Sequence, residues 1–234
     1  MIRDQGSGIR DQGLIRDQGL GIRSALAALD HLLLGINDLD RGTAWFEQKT
    51  GVKAAAGGPH PGRGTRNALV ALEGRQYLEI IAPDPAQPPQ NLGMPLRTLR
   101  EPRLIAWAAV TPAIDGLAAR LRTAGHATIG PRDGSRARPD GSVLTWRTLA
   151  VDTNLADVEV DPIPFFIEWA DLSRHPSGDS PKGCQLTAFE LRHPDATQLQ
   201  ATLAALGIDA VVRHDREVTL VATLETPKGT VVLT

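Results

Sequence analysis

Residues 28–51 read ALDHLLLGINDLDRGTAWFEQKTG, and this stretch decides the fold. Its first nine residues form an apolar run of strand length, interrupted by Asp30 and His31. The polar residues that follow, Asp38 among them, can cap a helix, and the pattern predicts a helix from Arg41 to Thr50 with Gly51 as its end. The stretch therefore predicts one strand followed directly by one short helix.

The order of elements continues downstream and then repeats. Three strands are predicted at 52–56, 66–72 and 76–82, with the Gly/Pro-rich loop GGPHPGRGT between the first two. A second series has a strand at 104–111, a helix at 112–123 and strands from 127, at 142–150 and at 163–169. A weaker third series has a strand at 184–192, a helix at 196–206 and strands at 210–213, 217–224 and 229–234. The chain therefore predicts an α+β fold of repeated βαβββ modules.

Four segments follow from this pattern. Residues 1–23 are an imperfect IRDQG repeat, which predicts a flexible low-complexity arm. The first module with its proline-rich crossover is predicted at 24–103, the second at 104–175, and a third, degenerate module at 176–234.

Composition excludes several classes of function. The formal net charge of −2 gives no basic surface for nucleic acid. No apolar run approaches the roughly 18–20 residues of a membrane span, so no membrane partner is expected. The single cysteine, Cys184, cannot form an internal disulfide, which favours a reducing, cytoplasmic location. A small molecule is the expected partner.

Four short stretches carry a resemblance to a known family. They are LDH at 29–31, GTRNAL at 64–69, YLEI at 77–80 and PFFIEW at 164–169. In their order and spacing they resemble the glyoxalase-like branch of the vicinal oxygen chelate superfamily, which also includes bleomycin-resistance proteins and dioxygenases. The resemblance implies curved mixed sheets around a cavity, with the helices on the outer face.

The resemblance also implies a metal site. His31 matches the position on the first strand, and Glu79 and Glu168 match the positions on the last strands of the two modules. One imidazole and two carboxylates suit a divalent Fe, Mn, Ni or Zn ion that activates a substrate as a Lewis acid, with Glu79 and Glu168 also as catalytic residues. The family's fourth ligand position falls on Ala106 or Trp107, neither of which binds metal. A protein without a bound metal is therefore the alternative.

The alternation of strand side chains gives a separate expectation for the two carboxylates. If Glu79 faces the cavity, Tyr77 and Ile81 do too; if Glu168 faces the cavity, Phe166 joins it. Without a metal, the two carboxylates could form a pair in which one acts as a general base, or be satisfied by Arg66, Arg147 or backbone donors. His31 could equally be a core histidine that hydrogen-bonds to a neighbour.

Six residues are expected to bind substrate. His60 belongs to the glycine-rich loop, which could act as a lid, and Arg66 and Asn67 follow it. Strand alternation places Tyr77 and Phe166 on the cavity face beside the two carboxylates. Trp107, at the position of the family's fourth metal ligand, is expected to stack on the substrate.

Two functions remain. The first is a metal-dependent, glyoxalase-like enzyme acting on a small oxygenated metabolite by lyase, isomerase or dioxygenase chemistry. The alternative is a protein of the same fold that binds or sequesters a small molecule without turnover. A homodimer is compatible with either.

Overall fold

The computed structural model describes residues 23–88, 96–138, 141–170 and 175–234. The prediction of a flexible arm concerns 1–22 almost entirely and lies outside the described residues. The division of the chain into four segments stays a prediction.

Three successive series of elements follow two short N-terminal ones, β1 (Arg23–Ser24) and α1 (Ala25–Ala28). The first series is β2 (Leu29–Gly35), α2 (Leu39–Thr50), β3 (Ala55–His60), β4 (Thr65–Ala71) and β5 (Tyr77–Pro83). The second is β6 (Arg103–Val110), α3 (Ile114–Thr123), β7 (Thr128–Ala137), β8 (Val143–Val151) and β9 (Phe165–Trp169). The third is α4 (Pro176–Asp179), β10 (Gln185–His193), α5 (Ala196–Ala205), β11 (Ile208–Asp209), β12 (Val211–His214), β13 (Thr219–Thr226) and β14 (Gly229–Leu233).

The deciding stretch folds as its sequence dictates. All seven residues of β2 are buried, because β2 lies in the middle of a sheet. The Asp38 side chain caps α2 by accepting a hydrogen bond from the Arg41 backbone N–H at 3.0 Å. Gly51 ends the helix with φ +80°, a left-handed conformation that glycine adopts without a steric penalty.

The first two series form one curled sheet of eight strands, in the order β3-β4-β5-β2-β6-β9-β8-β7. At its centre β2 pairs in parallel with β5 and antiparallel with β6. The two edge strands approach each other, since the Arg136 side chain on β7 donates a hydrogen bond to the Gly57 carbonyl on β3. The sheet therefore curls around a cavity, and the predicted α+β class with curved mixed sheets is confirmed.

The glycine-rich stretch differs from its prediction as a loop. Strand β3 continues through its first part to His60, and only residues 61–64 form the turn to β4. Gly57 and Gly58 allow this strand to lie close to β7, because a side chain on Gly58 would meet the Ala137 carbonyl at 3.3 Å.

The main core lies on the outer, convex side of the sheet and joins it to the third series. Trp107 is fully buried there, with its Nε1 donating to the Pro162 carbonyl at 2.9 Å and its ring packed against Phe189. The four-stranded sheet β12-β10-β13-β14 thus covers the back of the curled sheet. Within the described ranges, no helix is both long enough and apolar enough to cross a membrane.

Candidate functional site

The concave side of the curled sheet encloses a cavity of about 560 Å³. Glu79 lines it together with Tyr77 and Ile81, whereas Leu78 and Ile80 lie in the outer core. This is the alternation that the sequence predicts for β5. The carboxylate of Glu79 is therefore held inside the cavity by ordinary strand geometry.

His31 reaches the same place from the neighbouring strand. Its Nε2 lies 3.6 Å from Oε2 of Glu79, and its Nδ1 lies 2.8 Å from Oδ1 of Asp30. The ring is stacked on Tyr77 with 4.5 Å between centroids, and Phe165 packs edge-on at 5.5 Å. His31 is thus held by a hydrogen bond at Nδ1, by stacking on Tyr77 and by an edge contact with Phe165.

Asp30 is the buried centre of a second set of contacts. Its Oδ2 accepts a hydrogen bond from Trp169 Nε1 at 3.0 Å and lies 3.2 Å from His175 Nε2. Burial alone raises the pKa of Asp30, but hydrogen bonds from His175 and His31 outweigh it and hold that pKa well below its ordinary value. Asp30 is therefore a carboxylate, and the His31 nitrogen facing it carries a proton.

An irregularity in the sheet makes the contact between Asp30 and His31 possible. Neighbouring side chains on a regular strand point to opposite faces. Here the pairing of β2 with β6 shifts register between Leu29 and His31, which is the signature of a β-bulge. The bulge turns the Asp30 carboxylate towards the ring of the next residue.

His60 and Asn67 complete the polar end of the cavity. The Asn67 side-chain nitrogen donates to Glu79 Oε1 at 2.8 Å and lies 3.2 Å from His60 Nε2, and His60 Nδ1 lies 2.8 Å from Thr65 Oγ1. These contacts satisfy a neutral His60 with its proton on Nδ1. Within the described ranges, the Asn67 Oδ1 atom is buried without a hydrogen-bond partner.

Acid pH should therefore destabilise the protein through His60. Burial lowers the pKa of His60 below its ordinary value, so the folded chain binds a proton there less readily than the unfolded chain. The free energy of unfolding is then expected to fall as the pH drops below about 6.5.

Urea unfolding at several pH values tests this role of His60. The free energy of unfolding of His60→Gln should fall less steeply with acid than that of wild type. His214→Gln, at an exposed histidine on β12, should follow wild type. Equal slopes for wild type and His60→Gln would contradict this explanation.

The structure does not bring Glu168 to His31 and Glu79, so the expected three-residue metal set is not assembled. Glu168 lines a neighbouring pocket instead of this cavity, and there Oε1 accepts the Ile114 backbone N–H at 3.2 Å and Oε2 lies 3.7 Å from Arg147 Nη1. Glu168 therefore caps the first turn of α3. Its partners are a backbone N–H and Arg147, as one of the alternatives from the sequence proposed. Since Glu168 and Glu79 are on opposite faces, the expected carboxylate pair is also wrong.

The expectation that β9 turns Phe166 and Glu168 towards the cavity is wrong, because the strand presents its other set of side chains. Phe165, Ile167 and Trp169 line the cavity, whereas Phe166 lies in the outer core beside Trp107. Both Phe166 and Trp107 are thus removed from contact with a substrate in the cavity.

Of the other residues expected to bind substrate, three line the cavity and one does not. His60, Asn67 and Tyr77 face inward. Arg66 points to the outer face, where its Nη2 lies 3.9 Å from Asp40 of α2. Among the cavity residues that the sequence did not single out are Arg136, Trp146, Phe165 and Trp169, and His175 lies against Asp30 behind the ring of Trp169.

The donor set decides whether a divalent metal fits. Among the residues that the structure describes, no three His, Cys, Asp or Glu side chains are arranged to hold a metal ion. His31 and Glu79 supply two donors, but β9 contributes the carbon side chains of Phe165 and Ile167. The Nε2 atom of His60, the next nitrogen in reach, faces an Asn67 N–H. The residues present therefore do not fit the expected metal site.

Comparison with known proteins agrees with the fold. No curated protein matches the chain. A hypothetical protein from Staphylococcus aureus is similar in structure, with a TM-score of 0.63 and 18% sequence identity over 88% of this chain and 84% of that chain. A methylmalonyl-CoA epimerase from Mycobacterium tuberculosis has a TM-score of 0.39 and 19% identity over 62% of this chain and 89% of that chain.

The sequence profile of the Glyoxalase-like domain family matches residues 29–207, which include the whole curled sheet and every cavity residue discussed above. The match covers well over half of the chain. The chain therefore belongs to the glyoxalase-like domain family, within the vicinal oxygen chelate superfamily.

Proposed function

We propose that the protein is a glyoxalase-like enzyme that moves a proton on a small oxygenated metabolite bound in the cavity, with Glu79 as the general base. The observation that carries this proposal is the array Asp30–His31–Glu79. Because the Nδ1 proton of His31 is directed at Asp30, its Nε2 lone pair faces Glu79 Oε2 at 3.6 Å. A carboxylate in this position can take a proton from a bound substrate, and the imidazole nitrogen beside it is placed to receive that proton in turn.

The proposed chemistry balances without a further reactant. Glu79 takes a proton from a carbon next to a carbonyl group, the C–H electron pair forms an enolate, and the carbonyl oxygen carries the negative charge. Returning the proton to the same carbon gives exchange or epimerisation, and returning it to a neighbouring atom gives isomerisation. His31 and Asn67, both in reach of the carboxylate, hold Glu79 in place for this transfer.

The metal dependence expected from the resemblance is not part of this proposal, because Glu168 is not among the cavity donors. It can be measured directly. Stoichiometric metal in the purified protein that disappears in His31→Ala would replace the proposal by a metal-assisted mechanism. A homodimer and a cytoplasmic location stay predictions.

The second candidate is a binding protein without turnover. The aromatic walls formed by Trp146, Phe165 and Trp169 favour it, because such rings hold flat or apolar ligands without any chemistry.

Deuterium incorporation separates the two candidates. The protein is incubated in deuterated water with pyruvate, 2-oxobutanoate and hydroxyacetone, and exchange at the carbon next to the carbonyl is followed by NMR. The enzyme proposal expects exchange above the buffer and heat-denatured controls. A protein that binds these compounds by calorimetry yet catalyses no exchange would be the binding protein.

A further inference from the structure

Arg136 is a charged side chain in the interior of the cavity. It lies on β7 with 4% of its surface exposed, and it lines the cavity together with Tyr77 and Glu79. Removing a guanidinium group from water is costly unless an anion or several hydrogen-bond acceptors replace the water. The cost of burying Arg136 therefore depends on the acceptors around its guanidinium group.

Few N–H donors of the Arg136 guanidinium group have an acceptor in the described part of the protein. Over the described part of the chain, Arg136 has one hydrogen-bond acceptor, the Gly57 carbonyl, and no ion pair. Glu79 lines the same cavity and influences Arg136 electrostatically, but the described residues show no ion pair between the two. Of the five N–H donors of the guanidinium group, one thus binds the Gly57 carbonyl, and the others have no acceptor among the residues that the structure describes.

The neighbouring backbone is shaped to place this side chain. A Cβ atom on Gly57 would come within 3.0 Å of Arg136 Nη1 and within 2.1 Å of Asn67 Oδ1. Any residue other than glycine would therefore displace both polar groups. Strand β3 fixes the guanidinium plane on one side and leaves its other edge to the cavity.

The rest of the cavity narrows the class of ligand. Arg63 and Arg132 are exposed at its rim, where their positive charge favours the approach of an anion. The buried Glu79 carboxylate in the same cavity disfavours a dianion such as a phosphate monoester. Trp146 and Phe165 offer flat apolar walls to the uncharged part of the ligand.

We infer that Arg136 anchors the carboxylate of the substrate, and that the substrate is a small 2-oxo carboxylic acid with an apolar or aromatic body. This inference rests on the proposed function for the 2-oxo group, while the carboxylate contact stands on Arg136 itself. A guanidinium group binds a carboxylate through two parallel hydrogen bonds, and Glu79 lines the same cavity as Arg136.

Benzoylformate tests the inference without depending on catalysis, because this 2-oxo acid has no hydrogen on the carbon next to its keto group. Its binding to the full-length protein is measured by calorimetry beside methyl benzoylformate, the uncharged ester, and phenyl phosphate, the dianion. The acid is expected to bind about tenfold or more tightly than the ester, as a charge-assisted hydrogen bond requires. Failure of this binding series overturns the inference, whereas failure of deuterium exchange overturns the proposed function alone.

Matched variants assign the effect to one residue. Arg136→Met is expected to remove the preference for acid over ester, and Arg136→Lys to weaken acid binding about tenfold, since a lysine cannot replace the two parallel hydrogen bonds. Arg120→Met, at an exposed arginine on α3 that does not line the cavity, should keep the preference. If Arg136→Met does not fold, the carboxylate contact is still tested by Arg136→Lys and by the binding of acid and ester to wild type. Equal binding of acid and ester, tighter binding of phenyl phosphate, no binding of benzoylformate, or an unchanged preference in Arg136→Met would overturn the inference.

Discussion

Glu79→Gln is expected to lower the rate of deuterium exchange by about 10²–10⁴-fold, the usual effect of removing a general base. Glutamine keeps the size of the side chain and can still accept the Asn67 N–H that Glu79 Oε1 now accepts at 2.8 Å. The variant should therefore fold and still bind benzoylformate, because only the ability to take a proton is lost. NMR exchange rates and calorimetry on the same preparation measure the two properties.

Glu168→Gln is the matched control for this experiment. It makes the same change in the other carboxylate that the sequence places in the site, but outside the cavity at the first turn of α3. Its exchange rate should equal that of wild type. Undiminished exchange in Glu79→Gln, or an equal loss in Glu168→Gln, would contradict the assignment of Glu79 as the base.

The two carboxylates also show how far strand alternation can predict a site. On β5 the outer residues Leu78 and Ile80 are aliphatic and Glu79 is the one charged residue between them, so its different environment is visible in the sequence. On β9 the cavity is aromatic and the opposite face is apolar too, which leaves no contrast between Phe165 and Phe166. The charged residue of β9 faces outward because it caps a helix, and that helix end becomes its neighbour only in the folded chain.

Other parts of the site depend on contacts that no local pattern encodes. The β-bulge at Asp30 arises from the pairing of β2 with β6, which is more than 70 residues away in the chain. His175 precedes a proline and lies beyond β9, so nothing near it in sequence indicates that it meets Asp30. Arg136 enters the cavity because the edges of the sheet close on each other. The βαβββ order could be predicted from periodicity, whereas these residues follow from how distant strands meet.

Asp30→Asn is expected to reduce both stability and activity. His31, His175 and Trp169 all direct a nitrogen at the Asp30 carboxylate, and hydrogen bonds to a buried charged group are among the strongest in proteins. An uncharged amide cannot accept from all three, so the free energy of unfolding should fall by about 3–5 kcal/mol. Exchange should slow by about 100-fold or more, because His31 loses the acceptor that fixes its proton on Nδ1.

Asp84→Asn provides the comparison for stability. Asp84 is also buried and also accepts side-chain and backbone hydrogen bonds, from Gln87 and Ala86, but it contacts no histidine. Its replacement should cost about 0.5–1.5 kcal/mol and leave exchange unchanged. Similar losses in the two variants would mean that Asp30 acts as an ordinary buried carboxylate.

The pH dependence of the Asp30→Asn effect supplies a readout that packing alone would not give. The pKa of Asp30 in the folded chain is held below its ordinary value, so its charge stabilises the fold at every pH above about 4 and this contribution is lost as the pH falls further. Asp30→Asn lacks the contribution at all pH values. The difference in unfolding free energy between wild type and variant, measured with urea, should thus be largest near neutral pH and shrink below about pH 4. A difference that stays constant into the acid range would show that the carboxylate acts through its shape, because only a charge disappears on protonation.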